Sequence, residues 1–484
     1  MPTTQTFAVD VNNDGISDLV YLTSPTNTIG GEFSVNINNG DGTFKPPVVY
    51  PTGTTALTPL TWGDFNHDGK LDIVAAVPPN QIALWLGNSD GTFQAPITIT
   101  PDFPAGTTLS SSTIAAADFE HNGNLDLVVS GYIGNDNFSG PWDVFLLHGD
   151  GQGHFTEPTV IYQPTSGWLV DTILTGDFDS DNNADVAIAE YLPCAPPATA
   201  CIGDTSETNV LALFGDGTGS FAPVDVTTID GAMSLAAADL NNDAATDLYG
   251  IQLIPEGSKT QLAVFLGHYG RQFGYLFTPV PSALTNIDSQ VVAADFDGTG
   301  HWALAALRDT FNDPDTQMVY FLNAGTPNVT IVTGPSPAGV NSYQTGPAVG
   351  NFNGDTKPDI AIVSNPAFQS PTSTIVTGIN ANAQGFYGSC NYPTSGQGIH
   401  LCSPTTTTGS PVTFSASANS FGQLRKMELW VDGNKLGEDH LNWGQSSYFN
   451  LTGSTLSPGT HDGTIFAADI DNTLQRYDFT FTVQ

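Results

Sequence analysis

Short apolar segments recur along most of the chain, and each is separated from the next by an acidic or glycine-rich turn. In DFNHDGKLDIVAAV, polar residues 64–70 are followed at once by an apolar run that ends at residue 77. These runs are about four to eight residues long and contain β-branched residues, which favour strands. The pattern predicts an all-β protein built from short strands.

The polar segment at residue 64 is one copy of a repeated motif that we call the acidic loop. Its positions are numbered from the first residue, so that Asp64 is position 1 and Asp72 is position 9. Successive copies begin 54 to 62 residues apart, at Asp10, Asp64, Asp118, Asp177, Asp239, Asp295 and Asn351. Seven copies at such regular spacing indicate a repeat architecture.

A second motif follows each acidic loop, in which an apolar run meets a Gly-Asp turn and then an aromatic residue. VNINNGDGTF, ALWLGNSDGTF and LALFGDGTGSF are examples. Because Asp-Gly between two strand-like runs indicates a hairpin, each repeat is predicted to contain four strands. The acidic loop joins the first two strands and the Gly-Asp turn joins the last two. Alanine is frequent in the first strands, as at residues 115–117 and 236–238, and small residues suit strands that converge on an axis. We predict a seven-bladed β-propeller over residues 1–389.

The acidic loops carry the chemistry of a calcium site. Positions 1, 3, 5 and 9 supply hard oxygen ligands, and position 6 is often a glycine, such as Gly69, which tolerates positive φ. An EF-hand is excluded for the copy at residue 64, because position 12 is Ala75 where the EF-hand has glutamate. Asp72 must then close the ligand cage.

Six loops supply candidate Ca²⁺ ligands at positions 1, 3, 5, 7 and 9, and we expect about four to six ions. The candidates are Asp10, Asn12, Asp14, Ile16, Asp18, Asp64, Asn66, Asp68, Lys70, Asp72, Asp118, Glu120, Asn122, Asn124, Asp126, Asp177, Asp179, Asp181, Asn183, Asp185, Asp239, Asn241, Asp243, Ala245, Asp247, Asn351, Asn353, Asp355, Lys357 and Asp359. The alternative for every loop is an Asx-turn that caps a hairpin without metal.

The loops are expected to differ in affinity. The fifth has Ala244 at position 6, which adds backbone strain. The seventh should bind weakly, because it has only two carboxylates, Asp355 and Asp359, and Thr356 at position 6. The sixth keeps Asp295 and Asp297 but has Ala303 at position 9. We expect the sixth loop to be empty or filled with water.

These repeats resemble the FG-GAP repeats of the integrin α-subunit propeller and the VCBS repeats of bacterial surface proteins. The resemblance covers about residues 4–389. It implies a bacterial extracellular protein with Ca²⁺ in most blade loops on one face and ligand recognition on the other. A lectin that binds N-acetylglucosamine shares this type of propeller, so the resemblance allows glycan recognition.

The charge balance excludes several partners. The formal net charge is −38, with only 10 Lys and Arg, and 20 of the 48 acidic residues lie at ligand positions of the seven loops. Without a basic patch, nucleic acid and anionic membrane surfaces are not expected partners. The sequence also has no apolar run long enough to span a membrane.

The four cysteines form two close pairs in sequence, Cys194 with Cys201 and Cys390 with Cys402. Neither pair has the CxxC spacing of a metal site, and disulfides are the preferred interpretation. Disulfides and weak calcium loops both fit an extracellular compartment. Since no signal peptide is present, we interpret the chain as a mature or expressed form.

The 54–62-residue period stops near residue 389, and residues 390–484 are predicted to form a second domain. About seven strand-like segments follow, with a hairpin at Asp432-Gly433 and a terminal strand at residues 480–483. The sequence around CSP and WVDG resembles the Ig-like β-sandwich domains of bacterial secreted proteins.

No catalytic motif such as GxSxG, HExxH or a P-loop is present. Two pairs of histidines recur at equivalent places in different repeats. His67 and His121 both occupy position 4 of an acidic loop, and His148 and His268 both lie just before the turn after a third strand. Such repeated placement favours a structural role. The variable loops opposite the acidic loops are better candidates for binding a glycan or a surface protein. Their aromatic residues, which suit sugar stacking, are Tyr132, Trp142, Trp168 and Tyr191.

Two alternatives stay open at this point. The first is an extracellular polysaccharide-degrading enzyme, which needs a pair of acids outside the seven loops. The second is a structural subunit of an extracellular assembly, formed by self-association of the chain.

Overall fold

The secondary structure of the chain is entirely β in the part that the structure describes. The computed structural model describes residues 6–23, 31–53, 60–133, 142–165, 167–192, 207–254, 259–282, 284, 287–296, 302–308, 317–335, 346–353, 358–364, 374–378, 398–403, 407–408, 412–419, 424–440, 446–454, 456–469 and 474–484. These residues form 36 strands and no helix, which confirms the predicted all-β class. None of them belongs to a helix that could cross a membrane.

The strands before residue 379 form seven antiparallel sheets in chain order. The first three contain β1 (Thr6–Val9), β2 (Asp18–Thr23), β3 (Glu32–Asn36) and β4 (Val48–Pro51); β5 (Leu60–Gly63), β6 (Asp72–Val77), β7 (Gln81–Trp85) and β8 (Ile97–Ile99); and β9 (Thr107–Ala117), β10 (Asp126–Ile133), β11 (Trp142–Leu147) and β12 (Thr159–Tyr162). The fourth and fifth contain β13 (Leu169–Gly176), β14 (Asp185–Leu192), β15 (Glu207–Gly215) and β16 (Phe221–Asp230); and β17 (Ala232–Met233), β18 (Ala236–Ala238), β19 (Asp247–Ile254), β20 (Lys259–His268) and β21 (Gln272–Pro279). The sixth and seventh contain β22 (Ile287–Ala294), β23 (Ala303–Arg308), β24 (Gln317–Leu322) and β25 (Thr330–Pro335); and β26 (Ala348–Gly350), β27 (Asp359–Ser364) and β28 (Thr374–Gly378).

Each of these sheets is a meander, with strands paired in the order in which they occur in the chain. The acidic loop joins the first strand to the second, and in the first four sheets a turn that contains Asp and Gly joins the third strand to the fourth, as predicted. In the fifth sheet the first strand is interrupted, so β17 and β18 both pair with β19. In the seventh sheet three strands lie in the described part of the chain.

The core lies between neighbouring sheets. In β11 every residue is buried on both faces, because a sheet covers each side of it. Phe33 of the first sheet meets Trp85 of the second edge to face, with ring centroids 5.2 Å apart. The first strands of successive sheets also contact one another, and β26 of the seventh sheet contacts β1 of the first.

Backbone hydrogen bonds join neighbouring sheets at their acidic loops. The Thr246 N–H of the fifth sheet donates to the Asp177 carbonyl of the fourth at 2.6 Å, and Ser17 of the first sheet donates in the same way to Asn351 of the seventh at 2.8 Å. The first and seventh sheets are therefore bonded like consecutive sheets.

An aromatic pair repeats at the same boundaries. The phenylalanine at position 2 of an acidic loop meets the phenylalanine that follows the Gly-Asp turn of the next sheet, which we call the turn phenylalanine. The pairs are Phe65 with Phe155, Phe119 with Phe221, Phe178 with Phe273, and Phe352 with Phe44. The last pair joins the seventh sheet to the first, an arrangement consistent with a β-propeller.

The strands after residue 397 form two further sheets around a separate core. One contains β29 (Gly398–Ser403), β31 (Val412–Asn419) and β34 (Ser446–Ser454); the other contains β30 (Thr407–Thr408), β32 (Leu424–Val431), β33 (Asn434–His440), β35 (Gly459–Asp469) and β36 (Leu474–Val483). Phe414 of the first sheet and Phe481 of the second pack edge to face in this core.

Two predictions for this region are confirmed. β32 and β33 pair across Asp432-Gly433, whose φ angles of 49° and 75° are those of a tight hairpin turn. Residues 480–483 lie in the last strand. The cysteine pairing is not decided, because Cys194, Cys201 and Cys390 lie outside the described residues and only the backbone of Cys402 is described, in β29.

The boundary between the seventh and first sheets should be as important for stability as an internal boundary. Phe352 and Phe119 are both fully buried at equivalent places. We expect Phe352→Ala and Phe119→Ala each to lower the free energy of unfolding by about 3–5 kcal/mol, as large-to-small core substitutions do. Denaturant unfolding measures both. A negligible loss for Phe352→Ala beside a large loss for Phe119→Ala would show that the first and seventh sheets do not pack in solution.

Candidate metal centres in the acidic loops

The acidic loops lie together at one end of the sheets, because each loop follows the first strand of its sheet. The first five loops are described completely. In the sixth loop Asp297 and Thr299 lie outside the described residues, as do Asp355 and Lys357 in the seventh. The backbone and side-chain geometry of a complete acidic loop is therefore defined by the first five loops.

The carboxylate at position 1 organises the turn of its own loop. Asp64 accepts the Asp68 N–H at 3.1 Å through Oδ1 and the Gly69 N–H at 2.8 Å through Oδ2. Asp10, Asp118, Asp177 and Asp239 accept the equivalent two bonds. Each oxygen keeps a second lone pair, so these Asx-type bonds leave the carboxylate able to coordinate a cation.

The aspartate at position 9, which we call the closing aspartate, has a different role. Asp72 is fully buried at the first residue of β6. Its Oδ2 accepts the Phe65 N–H at 3.1 Å, and its Oδ1 accepts the Gly87 N–H at 2.8 Å at the end of the third strand. Asp18, Asp126, Asp185 and Asp247 make the same pair of bonds. Each closing aspartate thus ties its acidic loop to the Gly-Asp turn.

Burial controls the protonation of the closing aspartates. Desolvation raises the pKa of Asp72 from its ordinary value of 3.8 to about 6, and the nearby Asp68 and Asp64 add to the rise. The two backbone N–H donors act in the opposite direction. The pKa values of Asp185 and Asp247 rise to about 7 for the same main reason.

Two positions of each of the first five loops adopt left-handed backbone. Position 6 does so as expected, including Ala244 with φ 70°, where the sequence predicts strain. Position 4 also does so, in Asn13, His67, His121, Ser180 and Asn242. The left-handed backbone at position 4 was not predicted, although Asn and His at that position are a signal for it, since both are enriched at positive φ.

The fourth loop brings three carboxylates together. One oxygen each from Asp177, Asp179 and Asp185 lie within 4.8 Å of one another. Asp179 is 4% exposed, and its Oδ1 has no hydrogen-bond partner. A buried carboxylate oxygen without a donor is costly unless a cation neutralises it. The donor set of this loop therefore fits a hard divalent cation.

The third loop differs because a histidine joins its acids. Ligand atoms of Glu120, Asp126 and His148 lie within 4.8 Å of one another. His148 Nδ1 is 3.4 Å from Glu120 Oε1, and His268 is placed similarly beside Asp243 in the fifth loop. The equivalent positions of His148 and His268 are evident in the sequence, but their contacts with acidic loops were not predicted.

The first, second and fifth loops are more open than the fourth. Within the described part of the chain, their three carboxylates do not come as close as those of the fourth loop. In the second loop the Lys70 ammonium lies 2.9 Å from Asp68 Oδ2. In the sixth loop, Ala303 pairs with Ala294 where a closing aspartate would stand. The two side-chain hydrogen bonds that a closing aspartate accepts are therefore absent there.

The four aromatic residues of the candidate ligand site separate into two groups. Tyr132 and Trp142 are 8% and 5% exposed and pack on each other in the core, with ring centroids 5.6 Å apart. Neither offers a free face for stacking a ligand. Trp168 and Tyr191 are half-buried and lie at the ends of strands away from the acidic loops.

Tyr191 lines a cavity of about 290 Å³ at that opposite end of the sheets. The cavity lies between the fourth, fifth and sixth sheets, and its lining residues are Asp171, Tyr191, Thr208, Met233, Ser234, Ile251, Leu253 and Ile287. Asp171 is the extra residue of a β-bulge in β13, and bulges often re-aim side chains. Desolvation by the surrounding protein raises the pKa of the Asp171 carboxyl.

The raised pKa values predict a pH dependence for the metal-free protein. Between about pH 4 and pH 7 the folded state binds more protons than the unfolded state, so its stability increases as the pH falls through that window. We expect the melting temperature in EDTA to rise by about 5 °C between pH 7.5 and pH 5.5. Asp185→Asn, which removes one of the titrations, should reduce the rise. A melting temperature that falls over this range would contradict the prediction.

The repeats are similar to a described family. A family model for the FG-GAP-like repeat matches residues 10–75 and 64–129, and each match begins at position 1 of an acidic loop. Among solved structures, the chain is similar to the extracellular domain of a hybrid two-component system protein from B. thetaiotaomicron, with 10% identity and a TM-score of 0.41. The similarity covers 99% of this chain and 57% of that one. No curated protein sequence matches. The chain is therefore a protein that contains FG-GAP-like repeats.

Proposed function

We propose that this protein is an extracellular, calcium-binding recognition protein, in which seven sheets form a closed seven-bladed propeller. The repeated contacts at sheet boundaries support the ring, since the seventh sheet meets the first through the same bonds and aromatic pair as its predecessors. The two sheets after residue 397 form an Ig-like β-sandwich in this proposal. Its support is their separate core and the resemblance around CSP and WVDG.

The single observation that supports calcium binding is the arrangement of the carboxylates in the fourth loop. Asp177, Asp179 and Asp185 place three carboxylates around one point, and Asp179 buries an oxygen that has no donor. A soft-metal site would need Cys or His ligands, whereas three carboxylates suit Ca²⁺ or Mg²⁺. The flexible ligand number of Ca²⁺ suits a loop that also offers Asp181 and backbone carbonyls.

The role of the ion would be structural. When bound, Ca²⁺ supplies the positive charge that lets several carboxylates share one loop. Asp177, Asp179, Asp181 and Asp185 would hold it, and Asp177 and Asp185 also fix the turn and the neighbouring strand by accepting bonds from backbone N–H groups. An extracellular setting, where Ca²⁺ is abundant, fits loops with so few carboxylates. The four cysteines, interpreted as disulfides, fit the same compartment.

The proposal predicts stabilisation by calcium through the fourth loop. In millimolar Ca²⁺ the wild-type melting temperature should exceed that in EDTA by about 5 °C, since an ion that binds only the folded state stabilises it. Asp179→Asn should reduce this difference. Asp225→Asn, which removes an exposed acid from the same sheet, is the matched control and should retain it. Identical melting temperatures with Ca²⁺ and with EDTA would show that the loops do not hold calcium.

The cavity at the opposite end supports recognition of a small ligand as the second part of the function. It combines a mostly apolar wall with one carboxylate, Asp171, and one half-buried aromatic ring, Tyr191. A cavity of about 290 Å³ suits a single sugar ring. Its described lining has one carboxyl group, and a paired-acid hydrolase needs two, so we propose binding and not hydrolysis.

A glycan array with and without EDTA tests this recognition. We expect the wild type to bind at least one glycan class, and Tyr191→Ala to weaken binding about tenfold by removing the ring face. Tyr269→Ala changes an 85% exposed tyrosine far from the cavity and should bind normally. If the wild type binds no glycan, this part of the proposal is wrong, and the calcium proposal is unaffected.

A further inference from the structure

One residue of the fifth sheet departs from the pattern of its repeat. In the first four sheets the residue two places before the turn phenylalanine is glycine with left-handed backbone, with φ between 78° and 81°. These residues are Gly42, Gly91, Gly153 and Gly219. The fifth sheet has Arg271 at the equivalent place, with φ 63°. A long side chain in this conformation is uncommon and strained, which points to a role for the side chain itself.

Two of these glycines show which neighbours a side chain at this place would meet. A Cβ built on Gly219 would lie 3.5 Å from Cγ of Glu120, which is position 3 of the preceding sheet's acidic loop. A Cβ on Gly91 would lie 3.3 Å from Cβ of Asn12, again position 3 of the preceding loop. In these two repeats a side chain at this place would therefore begin beside position 3 of the neighbouring loop, although Ile37 and His148 lie still closer to the built Cβ atoms.

Arg271 follows this direction and reaches the fourth loop. Its Nε lies 3.5 Å from Oδ2 of Asp179, which is position 3. The guanidinium also lies over the ring of Phe214, 5.4 Å from the centroid, which limits its freedom. The Asp179 side chain is 6% exposed and the Arg271 side chain 38%, so water screens the carboxylate weakly and the guanidinium in part.

We propose that Arg271 is a built-in counter-ion of the fourth loop, which stabilises its carboxylates without metal and lowers their affinity for calcium. The inference rests on the proposed calcium site. A fixed positive charge 3.5 Å from a ligand carboxylate repels a divalent cation that binds to that carboxylate. It also offsets the repulsion between carboxylates when no cation is bound. In the first loop, where position 3 is Asn12 and the facing residue is Gly91, the described residues include no such cation.

Calcium titration by calorimetry tests the effect on affinity. The calcium uptake that Asp179→Asn removes defines the contribution of the fourth loop. Arg271→Gly restores the residue of the first four repeats and should increase the calcium affinity of the fourth loop about tenfold. Arg271→Lys keeps the charge and should stay within about threefold of the wild type.

Thermal stability without metal provides a second measurement, and it also serves if Arg271→Gly folds poorly. Arg271→Gln should lower the melting temperature in EDTA, where the counter-ion is needed, more than in excess Ca²⁺. Equal losses in both conditions would overturn the counter-ion role.

The titration separates failure of this inference from failure of the calcium proposal. If the fourth loop binds calcium with the same affinity in Arg271→Gly and in the wild type, the inference is wrong and the calcium site stands. If Asp179→Asn removes no calcium binding in any background, the fourth loop is not a calcium site, and both are wrong.

Discussion

The repeats depend on a buried carboxylate that is held by backbone N–H groups. Asp72 and its equivalents sit at the start of the second strand and accept one bond from their own loop and one from the Gly-Asp turn. Three parts of a sheet that are distant in sequence are thereby fixed by one side chain. Because the carboxylate is fully buried, replacing it without new partners would leave two donors unsatisfied.

This arrangement explains how so acidic a chain can fold. The acids do not occupy one environment: the closing aspartates are buried and bonded to the backbone, and position 1 caps its turn. In the fourth loop, Asp179 stands out because its burial is not matched by donors. Local cations then become important, and Arg271 and His148 lie beside acids of different loops. The loops are alike in backbone but differ in how their charge is balanced.

Much of the fold could be predicted from sequence because its signals are local and repeated. Asp-Gly turns, acidic loops and short apolar runs each act over a few residues, and their period revealed the four-stranded unit. The candidate site was less predictable. Tyr132 and Trp142 were expected in a ligand-binding loop, but they lie in strands and are buried, because the sequence does not show where a strand ends and its loop begins. The left-handed backbone at position 4 was missed for a similar reason: several residue types serve there.

The sequence by itself determined the repeat, the four-stranded unit and the residues that line each acidic loop, since these follow from nearest neighbours along the chain. Only the tertiary structure decided which loop concentrates its carboxylates. That depends on contacts between segments distant in sequence, such as Arg271 of the fifth sheet with Asp179 of the fourth. The particular contacts between the seventh and first sheets also came only from the tertiary structure, because residues 44 and 352 are close only after every sheet between them has taken its place.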